Sequence, residues 1–184
     1  MNDFSWHGDQ PVLADGNVIV RPWVPTDAHW VHVACQNPEI QRWTRVPVPY
    51  LLEHAEGFVS ELAPHNWRSS TGVAFAIGDN EAGKGVGSIG LVGVDPENRV
   101  AEAGYWMGEE GRGKGLTVRA LGLLSAWSLT KGNLVRIELL VEEGNVPSRK
   151  VAEQSGFEFE GLMRKKAFHR GEYRDLLLYS RINQ

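Results

Sequence analysis

The 184 residues suit one domain with a full-sized core, and 42% hydrophobic with 23% charged residues is ordinary for a globular protein. A net charge of -4 argues against nucleic acid as a partner. The single cysteine excludes an internal disulfide and fits a reducing cytoplasm, no apolar run is long enough to span a membrane, and the first residues lack the features of a signal peptide. We therefore expect a cytoplasmic protein without membrane or nucleic-acid partners.

The first half of the chain predicts a strand, a helical region and a meander of strands. Residues 1–16 are polar and are predicted to be an N-terminal extension or lead-in strand, and residues 17–24 alternate as a first strand does. Helices are predicted from a Thr26 cap to about Cys35, after Asn37, and from residue 51 to residue 62, where Pro64 marks the end. Strands at 73–77, 86–94 and 99–107, with a hairpin turn at 79–84, predict an antiparallel meander.

A glycine-rich loop follows the last strand of the meander. Its glycines, Gly111, Gly113 and Gly115, alternate with Arg112 and Lys114, and an almost uncharged helical run begins directly after them. Glycine allows positive φ and close approach of a ligand, while a helix start offers unpaired N–H groups and a positive dipole end. The loop therefore predicts an anion cradle. Its spacing matches neither the phosphate loop of nucleoside triphosphatases nor the dinucleotide fingerprint.

The second half of the chain predicts two more helices and three more strands. The helix from about Gly115 should end at Lys131, with Gly132 in the left-handed position beyond it. A strand at 136–142 is reached by crossover and should lie parallel to the strand at 99–107. A helix capped by Asn145 and ending at Gly156, then strands at 157–168 and 173–182, complete the chain. We expect one α/β (α+β) domain over residues 1–184, with a mixed sheet of about seven strands and about four flanking helices.

Four segments carry a resemblance to a known family. The spacing Arg112-x-x-Gly115-x-Thr117 resembles the pyrophosphate-binding Arg/Gln-x-x-Gly-x-Gly/Ala signature of GNAT (GCN5-related) N-acetyltransferases, although Thr117 replaces the small final residue. Segments 101–108 (Ala-Glu-Ala-Gly-Tyr-Trp-Met-Gly), 145–157 (Asn-Val-Pro-Ser through Ser-Gly-Phe) and 171–179 (Gly-Glu-Tyr-Arg-Asp-Leu-Leu-Leu-Tyr) match as well. The combination resembles the branch that contains ribosomal-protein N-terminal (alanine/serine) acetyltransferases.

The resemblance implies a GNAT fold that binds acetyl-CoA as cosubstrate. Backbone N–H groups of the loop and helix start would hold the pyrophosphate, and Arg112 and Lys114 would add positive charge near it. These cradle residues are Gly113, Lys114, Gly115, Leu116 and Thr117. The strand ending at Met107 would splay from its parallel neighbour, and a backbone N–H there, that of Met107, would act on the thioester carbonyl. Asn145 and Ser148 would contact the cofactor, although both also fit simple helix capping.

Acetyl transfer to an amine needs a base and a proton donor. An aliphatic amine has a pKa of about 10, so a carboxylate could take its proton directly or through water. Glu102 is our candidate base, with Glu138 and a water relay as alternatives, and surface ion pairing explains either glutamate without catalysis. Ser148 is our candidate donor to the leaving thiolate, and Tyr173 and Tyr179 are alternatives.

Several other features have simple structural interpretations. His29 and His32 lie three residues apart but lack a third metal ligand, so we expect no metal, and Cys35 fits a small buried residue. Three tryptophans of the early helical region could line an acceptor cleft: Trp30, Trp43 and Trp67. The sequence thus predicts an N-acetyltransferase for a protein N-terminus or a small-molecule amine, and a homodimer is a mild expectation from the resemblance. The alternative is a non-catalytic CoA-binding module.

Overall fold

The computed structural model describes residues 5–79 and 84–183, which form one mixed sheet of eight strands in the order β1-β2-β3-β4-β5-β6-β8-β7. The strands are β1 (Leu13–Asp15), β2 (Val18–Pro22), β3 (Val73–Asp79), β4 (Lys84–Asp95), β5 (Val100–Met107), β6 (Arg136–Glu142), β7 (Glu158–His169) and β8 (Glu172–Ile182). Neighbouring strands pair antiparallel except β5 and β6, which are parallel as predicted. The eighth strand is β1, within the predicted extension. The turn predicted at 79–84 includes residues 80–83, which lie outside the described residues.

Among the described residues, six α-helices flank the sheet: α1 (Ala28–Ala34), α2 (Pro38–Trp43), α3 (Leu52–Gly57), α4 (Ala63–Arg68), α5 (Leu116–Thr130) and α6 (Val146–Gln154). A π-helical segment, Phe58–Leu62, joins α3 to α4 without a break. The prediction that Pro64 ends this helix is therefore wrong. Pro64 instead occupies the first turn of α4, where a missing N–H costs little because the π-helical segment already interrupts the regular hydrogen bonds.

Hydrophobic cores lie on both faces of the sheet. The first core joins β-strand side chains to α5 and α6, and includes Leu121, Leu124 and Ile137, which are fully buried. The second core lies under α1 to α4 and includes Val31 and Val59. Burying one such aliphatic side chain contributes about 1.5–3 kcal/mol. The two cores leave the sheet buried on both faces along its central strands.

Side chains of β5 alternate between these two cores. Ala101 and Ala103 belong to the first core and Tyr105 packs against it, whereas Trp106 packs against the second core. Because successive side chains of a strand point to opposite faces, Glu102 shares the α1–α4 face with Trp106. This alternation decides which side chains of β5 can meet α6 and which meet the helices of the first half of the chain.

A partly buried ion pair fixes the start of α1. The guanidinium of Arg21 donates to both carboxylate oxygens of Asp27, at 2.7 and 2.8 Å, and the same carboxylate accepts the N–H of Val24 at 3.0 Å. Thr26, the predicted cap, lies inside a 3₁₀ turn (Pro25–Asp27) that precedes α1. Asp27, not Thr26, therefore occupies the cap position of α1, and the capping prediction is wrong by one residue. The Asp27 carboxylate binds the Arg21 guanidinium and the Val24 N–H at the same time.

The end of α5 also differs from the prediction. Lys131 follows the helix, and its N–H donates to the carbonyl of Trp127 at 2.8 Å. Asn133, not Gly132, adopts the left-handed conformation, with φ of 57°. Gly132 is required for a different reason, since a Cβ there would lie 2.8 Å from backbone atoms of Ser128. No helix among the described residues is long and apolar enough to cross a membrane.

Candidate functional site

The glycine loop and the start of α5 form the first part of the site. Gly113 and Gly115 have φ of 73° and 71°, and a Cβ at either position would meet nothing within 4 Å. Glycine is thus required here by backbone conformation rather than by lack of space. Gly115 is the N-terminal cap of the 15-residue helix α5, and its carbonyl accepts the first helical hydrogen bond, from Arg119. The N–H groups before Arg119 have no acceptor within the helix, so an anion is favoured there.

The residues predicted to form the cradle come together at this helix start. Lys114 is exposed, Thr117 is half-buried, and the Leu116 side chain is buried in the first core, so that Leu116 offers only its backbone. Thr117 is the second residue of α5. The five positions from Gly113 to Thr117 therefore form one continuous turn that leads into the first turn of the helix.

Arg112 ties the loop to its surroundings. Its Nε donates to the carbonyl of Met107 at 3.1 Å, and its Nη2 donates to Oδ1 of Asn37 at 3.1 Å. The amide of Asn37 in turn donates to the carboxylate of Glu109 at 2.7 Å. Asn37 caps α2 by accepting from two backbone N–H groups. Arg112 thus links the glycine loop, the end of β5 and the start of α2.

An opening separates the ends of the parallel strands. Pairing between β5 and β6 covers residues 100–102 and 136–138, so β5 continues for five residues beside a gap. The N–H of Gly108 donates to the carbonyl of Val86, and the neighbouring pair, Met107 and Gly87, is therefore a pair without cross-strand hydrogen bonds. The N–H and C=O of Met107 point away from β4 and into the opening. Arg112 donates to the Met107 carbonyl, and the Met107 N–H remains directed at the gap.

Two carboxylates meet where the opening begins. Glu102 and Glu138 are register partners on β5 and β6, and both line a cleft of about 540 Å³. The other lining residues are Gly93, Asp95, Asn98, Val100 and Ala101. Burial raises the pKa of Glu102, the charge of Glu138 adds to the rise, and the cations Arg45 and Lys166 oppose it. A half-buried carboxylate of raised pKa beside a strand gap is the arrangement expected of a general base.

Glu138 is engaged elsewhere. Its Oε1 accepts from Nε of Arg136 at 2.8 Å, and the other end of that guanidinium binds both carboxylate oxygens of Glu160. Ser180 also donates to Glu160, at 2.6 Å. These contacts hold the pKa of Glu160 at about 2, chiefly through the Arg136 hydrogen bonds. Glu138 therefore belongs to an ion-pair network with Arg136 and Glu160.

Ser148 and Asn145 lie on the opposite face of the sheet, at the start of α6. Oδ1 of Asn145 caps the helix by accepting the N–H of Ser148 at 3.2 Å. The hydroxyl of Tyr105 lies 2.8 Å from Oγ of Ser148 and 3.3 Å from the Ser148 carbonyl, so its single hydrogen has two acceptors on the same residue. Tyr105 was not predicted from the sequence. The two-residue alternation of β5 places it on the side of Ala101 and Ala103, and that pattern was the available signal.

The tyrosines that the sequence did suggest are elsewhere. Tyr173 lies at the β7–β8 hairpin with 64% of its surface exposed, and its ring packs edge-on against Phe168. Tyr179 is buried in the first core, and its hydroxyl donates to Glu153 at 3.5 Å. The structure therefore brings neither Tyr173 nor Tyr179 to a hydrogen bond with Ser148.

The three early tryptophans have different surroundings. Trp30 stacks between Trp23 and Trp106, with ring centroids at 6.0 and 5.5 Å, on the face that carries Glu102. Trp43 is half-buried on α2, and the guanidinium of Arg42 lies 4.5 Å from its ring. Trp67 stacks on Trp6 in the first core, and therefore faces away from that side.

The remaining candidates have ordinary environments. Nδ1 of His32 lies 3.3 Å from the amide of its helical neighbour Gln36. Cys35 is buried, and burial raises the pKa of its thiol to about 12. Within residues 5–79 and 84–183, no three His, Cys, Asp or Glu side chains are grouped so that they could hold a metal ion.

Comparisons with known proteins match this architecture. The family model of the acetyltransferase (GNAT) domain matches residues 17–158. Ribosomal-protein-serine acetyltransferase of Escherichia coli (strain K12) is 34% identical over 97 residues, which is 53% of this chain and 54% of that protein, so the match spans about half of its length. Spermidine N(1)-acetyltransferase of the same strain is 26% identical over 162 residues, 88% of this chain and 83% of that protein. RimJ of Mycobacterium smegmatis in complex with CoA-disulfide superposes with a TM-score of 0.81 at 27% identity, over 94% of this chain and 86% of that one.

Proposed function

Because this chain belongs to the GNAT acetyltransferase family, we propose that it transfers the acetyl group of acetyl-CoA to a primary amine. Transfer occurs by direct attack in a ternary complex, without a covalent enzyme intermediate. The observation that carries the proposal is the strand opening. It runs from the electropositive start of α5 to the carboxylate of Glu102, with the Met107 N–H directed into it.

Two features of the described backbone support acetyl-CoA as the cosubstrate. Gly113 and Gly115 leave open space beside the unpaired N–H groups of α5, which suits a pyrophosphate. The backbone of β5 beyond Glu102 has no strand partner on the side of β6, which suits the amides of an extended pantetheine arm. When bound, acetyl-CoA supplies the activated acetyl thioester. The Met107 N–H then donates to the thioester oxygen, and a donor of this kind contributes about 2.7–4 kcal/mol to the transition state.

Glu102 acts as the base in this proposal. Its raised pKa makes it a better proton acceptor than an ordinary exposed carboxylate. It takes the proton of the attacking amine directly or through one water. Ser148, held on the other face of the opening by Asn145, donates to the departing sulfur. The acid and the base therefore act from opposite faces of the sheet.

The Gly115→Ala variant tests the cradle. Alanine in the left-handed conformation costs about 1–2 kcal/mol, so the variant must either accept this strain or distort the helix start that holds the pyrophosphate. We expect CoA affinity to fall by about tenfold, because 1.4 kcal/mol is a tenfold change in the dissociation constant. Titration calorimetry with CoA measures the effect.

Gly122→Ala is the matched control, since Gly122 lies inside α5 and a Cβ there also meets nothing within 4 Å. Its φ is not positive, and alanine is the better helix former by about 1 kcal/mol, so this variant should bind CoA normally and unfold at higher temperature. Equal CoA affinities in the two variants would contradict the role given to the Gly115 turn.

The acceptor is an amine, and two classes are favoured. The similar Escherichia coli proteins are named for a ribosomal-protein serine and for spermidine. The cleft beside Glu102 contains the carboxylates of Asp95 and Glu138, which suits a cationic or amine-bearing molecule. The sequence-derived choice between a protein N-terminus and a small-molecule amine thus remains the choice to test.

The acceptor class is tested by measuring the release of the CoA thiol from acetyl-CoA with one acceptor at a time. The panel contains ribosomal-protein N-terminal peptides, polyamines, aminoglycosides and amino acids. We expect turnover with one class and none with the same acceptors blocked by prior acetylation. Tight CoA binding with no turnover on any acceptor would instead support the non-catalytic CoA-binding module. Absence of CoA binding would overturn the proposal.

A further inference from the structure

The hydroxyl of Tyr105 contacts Ser148, the proposed proton donor. Tyr105 and Ser148 come from β5 and α6, elements 43 residues apart in sequence, and their hydroxyl oxygens lie 2.8 Å apart. Tyr105 is half-buried against the first core, and its backbone belongs to the part of β5 that borders the opening. Ser148 is thereby held at two points, its N–H by Asn145 and its Oγ by Tyr105.

We propose that Tyr105 is a positioning residue that aims the hydroxyl proton of Ser148 into the strand opening. The inference rests on the proposed function, since it assigns a role within the same site. A serine hydroxyl has one hydrogen and can direct it either to Tyr105 or to the leaving sulfur. If the phenol donates to Oγ, Oγ is an acceptor in that contact, and its own hydrogen is available on the side of the opening.

The phenol is the stronger donor of the pair. The single phenolic hydrogen has two acceptors on Ser148, and Oγ at 2.8 Å is nearer than the carbonyl at 3.3 Å. A phenolic O–H is also more acidic than an aliphatic hydroxyl, which favours tyrosine as donor and Oγ of serine as acceptor. A hydroxyl that accepts one hydrogen bond becomes a better donor in the next, because hydrogen bonds in a chain polarise one another. Burial raises the pKa of Tyr105 to about 12, which keeps the phenol protonated through the neutral range. Tyr105 therefore retains its proton while it strengthens Ser148.

Each proton that moves in this step has a source and a destination. When the carbon–sulfur bond breaks, its electron pair stays on sulfur, and Ser148 supplies the hydrogen that makes the CoA thiol. Ser148 regains a proton from water as the products leave. The protonated amine loses two protons on becoming the amide: Glu102 takes one and later releases it to water, and the other passes directly to water. The net reaction of a protonated amine then yields the amide, the CoA thiol and one free proton.

Tyr105→Phe removes only the phenolic oxygen and tests the inference in the full-length protein. We expect kcat to fall by about tenfold with little change in the KM for acetyl-CoA, because one neutral hydrogen bond is lost from the transition state. Tyr179→Phe is the matched control, since Tyr179 is also a phenol of the first core but contacts Glu153 rather than Ser148. Its kcat should equal that of the unmodified protein.

The Tyr105→Phe/Ser148→Ala double variant separates positioning from a general structural role. If Tyr105 acts through Ser148, the double variant should lose no more activity than Ser148→Ala alone. Losses that multiply, or a Tyr105→Phe variant as fast as the unmodified protein, would overturn the inference. In either case an active unmodified protein leaves the proposed function standing.

A second readout does not need an acceptor. The donor at Ser148 stabilises the thiolate of bound CoA, so thiolate absorbance as a function of pH should show a raised thiol pKa in Tyr105→Phe, close to that in Ser148→Ala. The Tyr179→Phe variant should keep the value of the unmodified protein. An unchanged thiol pKa in Tyr105→Phe would contradict the inference even if no acceptor were found. Failure of the unmodified protein to bind CoA would overturn the inference together with the proposed function.

Discussion

Glu102→Gln is expected to lower kcat by about 100- to 10,000-fold, the range that general-base catalysis contributes. Glutamine preserves the size of the side chain in the cleft but cannot accept the proton of the amine. Of the two other carboxylates that line the cleft, Glu138 is bound to Arg136 and Asp95 accepts two hydrogen bonds from Asn98, so we expect neither to replace the lost base. Steady-state turnover with the best acceptor, together with CoA affinity that should stay unchanged, measures the effect.

Glu138→Gln is the control for this prediction. This variant removes the carboxylate that lies in the same cleft, at the register position beside Glu102, but it leaves the proposed base in place. We expect a change of no more than a few-fold in kcat, since the pair of Arg136 with Glu160 persists. A severe loss in Glu138→Gln with normal turnover in Glu102→Gln would assign the base to Glu138. Normal turnover in both would favour a water relay that needs neither.

The pH profile follows from the direction of the Glu102 shift. Burial raises the pKa of Glu102, so the base loses activity by protonation at a pH above the usual carboxyl range. The acid limb of kcat/KM should therefore lie higher than that of an exposed glutamate, and it should disappear in the residual activity of Glu102→Gln. An acid limb at the pKa of an ordinary carboxyl would contradict this assignment.

The same shift has a consequence for stability. A carboxyl whose pKa is raised on folding contributes stability below its unfolded pKa, and this contribution is lost as the pH rises through the folded pKa. At neutral pH the ionised Glu102 is therefore a cost to the folded state. We expect Glu102→Gln to unfold at a higher temperature than the unmodified protein at pH 7, with the difference shrinking in acid. A lower unfolding temperature at pH 7 would contradict the direction of the shift.

Asp27→Ala is expected to cost about 3–5 kcal/mol of unfolding free energy, the loss typical when one partner of a buried ion pair is removed. Asp27 is 8% exposed, and it neutralises Arg21 through two hydrogen bonds while it accepts the N–H of Val24. Alanine would leave a partly buried guanidinium without its counter-charge and an N–H without its acceptor. Urea denaturation followed by circular dichroism gives the free energy.

A double replacement by apolar residues, Arg21→Met with Asp27→Leu, controls for this prediction. It removes both charges, so it should recover a large part of the stability lost in Asp27→Ala. If Asp27→Ala lost less than about 1 kcal/mol, the pair would behave as an exposed salt bridge, and its proposed role in fixing the start of α1 would be wrong.

Local patterns predicted most of the fold because the elements carry clear signals. Alternation identified seven of the eight strands, and the crossover rule gave the parallel orientation of β5 and β6. The three-residue strand β1 was too short to show a pattern. The end of α5 was misassigned because a glycine fits a left-handed turn and a close backbone approach equally well, and only the distance to Ser128 distinguishes them.

The candidate site was predictable where one segment forms it and unpredictable where several segments meet. Local sequence is enough to predict residues that act through their own backbone or their nearest neighbours, as Gly113, Gly115 and the capping Asn145 do. Tyr105 meets Ser148 across 43 residues, and Arg112 meets Asn37 across 75. Contacts of this kind depend on how the sheet and helices pack, which no local pattern contains.

The two cores on opposite faces of the sheet affect how proteins of this architecture can change their acceptor. α5 and α6 pack on one core, while α1 to α3 pack on the other, on the face of the sheet that carries Glu102. Exposed positions between residues 28 and 57 can therefore change without disturbing the packing beneath the cofactor side, apart from Asn37, which binds Arg112 of the glycine loop. Natural variation and laboratory selection should both find new amine preferences among these positions at little cost to folding.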